Sequence, residues 1–256
     1  MIRALVALFL IFFATPCFAT IGAPANLGSN NAAAGSVNLA ITTGANCAAN
    51  ALILLDPAQN SSTGTISSAS DSAGDSFSTT TAISNTGNNK FRLLYKQGAL
   101  ALSSGGTVTI VYSTSTVTQA SDAACVTGTK TSTSLDVQGA GVAATGTNPS
   151  LSTGTLAQAY ELLIGVITIT AGTSDTYTED TAHGWTAMTP VSQGSGSTGL
   201  EVRWAYNIVT TTSSVTWAPT LGTSRAYSAN VYSFEGIGSP PGSCNGGLLL
   251  RGAGGC

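Results

Sequence analysis

The chain holds one histidine, and two carboxylates stand just before it, in Thr178-Glu179-Asp180-Thr181-Ala182-His183-Gly184-Trp185. A histidine beside carboxylates can do acid–base work if a pocket shifts its pKa. A hydrolytic triad would add a serine on a strained turn. No Gly-x-Ser-x-Gly occurs, although Gly194-Ser195-Gly196 is a fragment of that pattern. The plainer reading is a solvated loop with Trp185 anchored in the fold. An exported hydrolase using His183 with Asp180 or Glu179 is the remote alternative.

A second loop, Asp71-Ser72-Ala73-Gly74-Asp75, puts two carboxylates around a glycine. Calcium wants several oxygen ligands in a tight turn, so Asp71 and Asp75 are a weak candidate site. The third and fourth acids of a strong site are missing. An Asx-turn between two strands accounts for the same residues. No other cofactor is expected. Three tryptophans, Trp185, Trp204 and Trp217, could stack on sugar rings. Trp204 and Trp217 fall at alternating apolar positions, which assigns them to a core. Trp185, beside a glycine in a loop, is the best surface aromatic.

Composition narrows the classes further. Of 256 residues, 7% are charged and 43% hydrophobic, against about a quarter charged in an ordinary soluble domain. Helical bundles and coiled coils need charged outer faces and are excluded. Eight Lys+Arg against eleven Asp+Glu leave a net charge of −3, so no basic surface for nucleic acid is expected.

Residues 1–19 read as a cleaved signal peptide. Arg3 gives the positive start, Ala4 to Ala14 an apolar run, and Cys17-Phe18-Ala19 a small-residue cleavage site. The run falls short of the ~20 apolar residues of a membrane span, so no span is expected in the mature chain. Export implies an oxidising compartment. Cys47, Cys125, Cys244 and Cys256 then remain, with three possible pairings. Cys47–Cys125 and Cys244–Cys256 are the favoured ones. Zinc is disfavoured, because no Cys-x-x-Cys occurs and there is one histidine.

The elements that must position these residues read as short strands rich in β-branched residues, separated by Gly, Asn, Asp and Ser. They fall at 36–43, 50–55, 64–70, 76–84, 90–96, 107–114 and 122–127, and again at 150–155, 161–170, 176–179, 185–190, 200–209, 214–218 and 226–234. No stretch holds a helical apolar period over three turns. Alternation selects Leu52, Leu54, Leu93, Tyr95, Val108, Ile110, Leu162, Ile164, Trp204, Tyr206, Val215, Trp217, Val231 and Phe234 as core.

An internal repeat organises the strands. Lys90-Phe-Arg-Leu-Leu-Tyr-Lys96 precedes Glu201-Val-Arg-Trp-Ala-Tyr-Asn207 by 111 residues, with Arg and Tyr three apart in both. Asn50–Leu55 with Tyr160–Gly165, Thr107–Thr109 with Ser214–Thr216, and Val126–Gly128 with Phe234–Gly236 follow in the same order at nearly that offset. The expected fold is all-β, with two antiparallel β-sandwich units, tandem or mutually packed. The units are 36–138 and 150–236. Residues 20–35 form a linker or leader strand, Gly139–Pro149 a strandless boundary, and 237–256 a disulfide-pinned tail.

The order of motifs resembles a repeated β-sandwich family of secreted bacterial proteins and phage structural proteins. The resemblance rests on Asp71-Ser-Ala-Gly-Asp75-Ser-Phe77, Leu94-Tyr95, Thr107-Val-Thr109 and Glu161-Leu-Leu-Ile-Gly165. Gly184-Trp-Thr186, Ala205-Tyr206 and Ser233-Phe234 complete it. It implies a sandwich fold and a surface location, and carries no catalytic residues. The expectation is a non-catalytic, secreted structural or adhesive module of a bacterial cell or virion surface. Its partners would be copies of itself or other surface proteins. A carbohydrate-binding module acting on glycans through exposed aromatics is the alternative.

Overall fold

The computed structural model describes residues 20–33, 37–61, 63–85, 88–114, 117–170 and 176–238. Short β-branched runs between turn residues fold as strands throughout. The first half contains β1 (Ala25–Ala32), β2 (Asn38–Thr42), β3 (Leu52–Leu55), β4 (Ala58–Asn60), β5 (Ile66–Asp71) and β6 (Ser78–Thr79). It continues with β7 (Ile83–Ser84), β8 (Asn89–Phe91), β9 (Leu94–Lys96), β10 (Thr107–Tyr112) and β11 (Gln119–Val126). The second half contains β12 (Leu135–Gln138), β13 (Val142–Gly146), β14 (Leu151–Ser152), β15 (Glu161–Ile169), β16 (Tyr177–Thr178) and β17 (Thr186–Ala187). Then come β18 (Val191–Gln193), β19 (Leu200–Val209), β20 (Thr216–Trp217), β21 (Thr220–Leu221) and β22 (Arg225–Glu235). Among the described residues the helical structure is two three-residue 3-10 turns, Thr181–His183 and Gly196–Thr198.

The strands stack as four antiparallel layers. The outer sheet of the first half, β2-β10-β5, covers an inner sheet of order β6-β9-β3-β11-β4-β8-β7, with β1 also on β11. The inner sheet of the second half runs β12-β22-β15-β19-β17, with β13 on β22 and β18 on β19. Two small outer pairs, β14-β20 and β16-β21, cover it. Alternation decides which core each side chain joins, because successive residues of a strand point to opposite faces. Ile53, Leu55, Ala123 and Cys125 meet Ile41, Val108 and Ile110 of the outer sheet. Leu52, Leu54, Ala124 and Val126 turn the other way and meet Leu162, Ile164, Trp204 and Phe234 of the second half. Leu163, Ile167, Ala229 and Val231 face Trp185, Trp217 and Leu221. The two sandwiches are thus packed back to back through their inner sheets. This explains why β3, β11 and β15 are buried along their whole length.

The repeat is a repeat of topology. β11 joins β1 and β3, β3 joins β9, and β9 joins β6. Likewise β22 joins β12, β13 and β15, β15 joins β19, and β19 joins β17. The long β15 answers to β3 plus β4, which break at Asp56-Pro57 because proline has no N–H for the ladder.

The structure departs from the sequence reading in several places. Of the two readings of residues 20–35, the leader strand holds: β1 pairs with β11 from Ala25↔Cys125 to Ala32↔Gln119. The supposed strandless boundary 139–149 contains β13, paired with β22 from Val142↔Ala229 to Gly146↔Arg225. β12 was expected in the first unit and pairs instead in the second inner sheet, Leu135↔Phe234. The crossing between halves therefore precedes Leu135. These strands lack strong β-branched runs, and their pairing comes from the partner strand. The expected strand 76–84 splits into β6 and β7, paired to β9 and β8. Of the expected core, Tyr95, Tyr206 and Val215 are half-buried and the rest are buried. Residues 1–19, Cys244 and Cys256 lie outside the described residues.

Cys47 and Cys125 form a disulfide across the first sandwich, 78 residues apart in sequence. Among the described residues no helix is long and apolar enough to cross a membrane.

Candidate functional site

The segment 177–185 is a turn at the end of the second sandwich, held by its acids. Glu179 Oε1 accepts Trp217 Nε1–H at 2.7 Å and the backbone N–H of Asp180 at 2.9 Å, and Oε2 accepts the Tyr177 hydroxyl at 3.1 Å. Burial and the Glu179 carboxylate push the Tyr177 hydroxyl well above its ordinary range. Asp180 Oδ2 accepts the Ala218 N–H at 2.8 Å, which ties the turn to the outer strands. His183 Nδ1 lies 2.7 and 2.8 Å from the two Asp180 oxygens.

This arrangement orients an imidazole but builds no triad. The His183 side chain is 53% exposed, while that of Asp180 is 5% exposed. Among the described residues no serine or threonine hydroxyl hydrogen-bonds the ring. Ser195 precedes the 3-10 turn Gly196–Thr198, apart from this turn in the fold. Both acids expected to drive hydrolysis spend their oxygens on local donors, so their role here is to anchor the loop.

Trp185 is not the exposed platform residue that its loop position and flanking glycine implied. It is 2% exposed. Its Nε1–H donates to the Thr216 carbonyl at 2.8 Å, and its ring lies 5.6 Å from that of Trp217, tilted by 39°. The loop folds back over β20, so its one large apolar side chain fills the outer core. Trp204 and Trp217 are buried as expected. Gly165 on β15 lets Trp217 in: a Cβ there would come within 2.6 Å of the indole. Among the described residues all three tryptophans are therefore packing residues.

The Asp71–Asp75 loop is an Asx-turn. Asp71 Oδ1 accepts the N–H groups of Ala73 and Asp75, both at 3.0 Å. Asp75 is buried, pairs with Lys96 Nζ at 3.1 Å and accepts the Leu100 N–H at 2.7 Å. The two Asp75 oxygens are thus taken by an ammonium and an N–H donor, while Asp71 Oδ2 is buried without a hydrogen-bond partner. Among the described residues no group of three or more His, Cys, Asp or Glu side chains converges at metal-binding distance.

Two constellations escaped the sequence reading. Asp56, at the β3–β4 break, and Asp122 on β11 are both fully buried. Asp56 Oδ1 accepts the Asp122 N–H at 2.6 Å. Asp56 Oδ2 and both Asp122 oxygens have no hydrogen-bond partner among the described residues. Burial raises both carboxyls, and the Asp56 charge raises Asp122 further. The second constellation is a cleft beside Lys90 and Arg92. The Lys90/Glu201 exchange within the repeat was its available signal.

Comparison of the chain with protein-family models, with curated proteins and with solved structures returned no match.

Proposed function

We propose that the protein is a non-catalytic structural or adhesive module working outside the cytoplasm, on a bacterial cell or virion surface. The observation that carries this reading is the outer face of β2-β10-β5. Register places Thr42 beside Thr107, Ala40 and Ser70 on either side of Thr109, and Asn38 and Ser68 on either side of Val111. The β2 and β5 members of these rows are exposed and the β10 members half-buried. The face is a flat array of small, uncharged side chains. Its edges are partly covered, since Ser70 of β5 bridges to Ser76 and Asn30 Nδ2–H donates to the Ala40 carbonyl of β2, so what the sheet offers is its face. Such a surface suits contact with copies of the same chain or with other β-rich surface proteins.

Three further features support the reading. The apolar leader has the form of an export signal. The Cys47–Cys125 bridge suits an oxidising compartment. The motif order resembles the repeated β-sandwich family of secreted bacterial and phage proteins. Immunogold labelling of the producing cells and of any particles they release tests the proposal. Surface label on either is expected. A pool confined to the cytoplasm overturns it.

A further inference from the structure

The two halves act as controls for one another. On β19, Arg203 Nη2 pairs with Glu201 Oε1 at 2.6 Å, and its guanidinium lies 4.6 Å from the centroid of the Tyr177 ring. Moving back by 111 residues replaces Arg203 with Arg92, Glu201 with Lys90 and Tyr177 with Ile66. The arginine still meets the same strand position, though through the backbone: Arg92 Nη1 donates to the Ile66 carbonyl at 3.0 Å, and Lys90 Nζ to the Gly64 carbonyl at 3.2 Å. The carboxylate is not. Where the second half supplies an acid to its arginine, the first half supplies a second cation. Among the described residues Arg92 has no ion-pair partner.

A cleft of about 150 Å³ opens at this place. It exists because the outer sheet ends at β5, while the inner sheet beneath it continues to β8 and β7. Gln59, Ser84, Lys90 and Arg92 give its polar lining, and Ile66 and Ala82 its apolar lining. Gln59, Lys90 and Ser84 lie opposite one another on β4, β8 and β7. Gln59 is fully buried, yet neither its amide oxygen nor its nitrogen has a partner. The Nε–H groups of Arg92 and Arg203 are both buried and unpartnered, so it is Gln59 that sets this cleft apart. Buried polar groups are satisfied in folded proteins, so unmet ones facing a cleft call for a group that enters it. Gly64 on the wall leaves no room for a Cβ, which would come within 2.9 Å of Gln59 Oε1 and 2.8 Å of Ser61 Oγ.

We propose that this cleft binds a carboxylated sugar, a hexuronate, whose carboxylate pairs with Arg92 and Lys90 in the place that Glu201 takes beside Arg203. Arginine receives a carboxylate through two parallel N–H groups. Gln59 and Ser84 meet ring hydroxyls, and Ile66 and Ala82 lie against the C–H face. A volume of this size takes a bare six-membered ring such as benzene, so the carboxylate-bearing side of the sugar enters and the open side leaves the rest of the ring and the glycan chain outside. The inference goes beyond the surface-module reading and stands without it, since the binding is measured on the isolated protein.

Calorimetric titration of the full mature chain with glucuronate, glucose, acetate and inorganic phosphate tests the proposal. Glucuronate is expected to bind saturably, at least about tenfold more tightly than the other three. Arg92→Gln should weaken it by about tenfold or more. Lys90→Glu installs the acid of the second half, so it should abolish binding while leaving the circular dichroism spectrum and the disulfide intact. Arg203→Gln, which alters the self-paired site, should leave glucuronate affinity unchanged. Glucuronate binding no tighter than glucose overturns the proposal, as does binding that survives Lys90→Glu in a folded protein. Equal binding of acetate or phosphate reduces the site to a simple anion hole and overturns the sugar assignment.

Discussion

The buried carboxyl pair makes the protein lose stability as pH rises from acid to neutral, the reverse of ordinary acid denaturation. Asp56 is pushed from 3.8 to about 7, chiefly by burial, and Asp122 to about 9, by burial and then by the Asp56 charge. A carboxyl raised on folding is protonated in the native state and ionised in the unfolded chain. Its contribution is therefore fully present below the unfolded value near 4, and is lost as pH climbs through the folded value. For Asp56 the rise spans roughly three pH units, and at ~1.4 kcal/mol per unit this withdraws on the order of 4 kcal/mol by neutral pH. That is a large share of the ~5–15 kcal/mol by which domains are stable. Between about pH 5 and pH 8 roughly two of those units remain for Asp56, on the order of 3 kcal/mol, so at about 2–4 °C per kcal/mol for a chain of this size Tm should fall by at least about 6 °C.

Calorimetric melts across that range measure the slope. The amide of asparagine keeps the shape of a protonated carboxyl and cannot ionise. The double variant Asp56→Asn, Asp122→Asn should therefore lose more than half of the slope. Glu161, pushed up to about 7 by burial and then by the Asp136 carboxylate, contributes the same sign. Adding Glu161→Gln should remove the remainder. A wild-type Tm that holds or rises from about pH 5 to pH 8 refutes the reasoning, and so does a double variant that keeps the full slope.

Further substitutions test the packing. Trp185→Ala should cost about 3–5 kcal/mol in denaturant titration, since it empties a buried site and strands the Thr216 carbonyl; a loss below about 1 kcal/mol would mean an exposed ring. Gly165→Ala should destabilise by about 1–3 kcal/mol, because its methyl group meets the Trp217 ring. Thermal melts that match wild type would refute that contact. Reducing Cys47–Cys125 should remove about 4 kcal/mol, as the bridge closes a long loop. Melts with and without reductant read the difference directly.

Strands and faces were legible where side chains alternate. Leu200–Val209 folds as a strand over the same residues that its pattern marked, and Glu161–Ile169 within one residue of the reading. The repeat was legible because its Arg–Tyr spacing survives in β8–β9 and β19. The strands that escaped, β12 and β13, and β1, which was read only as a leader strand or linker, are short of β-branched residues and weak in alternation. They hold because long, buried partners offer them hydrogen-bonding edges.

Local pattern alone determined the all-β class and the burial of Trp204 and Trp217, and it favoured the turn at Asp71 and the Cys47–Cys125 pairing among three. Each follows from residues near in sequence or from a small set of pairings. The tertiary structure decided the rest. Back-to-back packing of the inner sheets buries both faces of β3 and β15, and no strand period reports what lies beyond its own two faces. Trp185 is buried because its turn folds over β20, a contact between segments 31 residues apart. Lys90 and Glu201 could be aligned in the sequence. That one is a cation beside a cleft and the other the mate of a half-buried arginine depends on where the outer sheet stops.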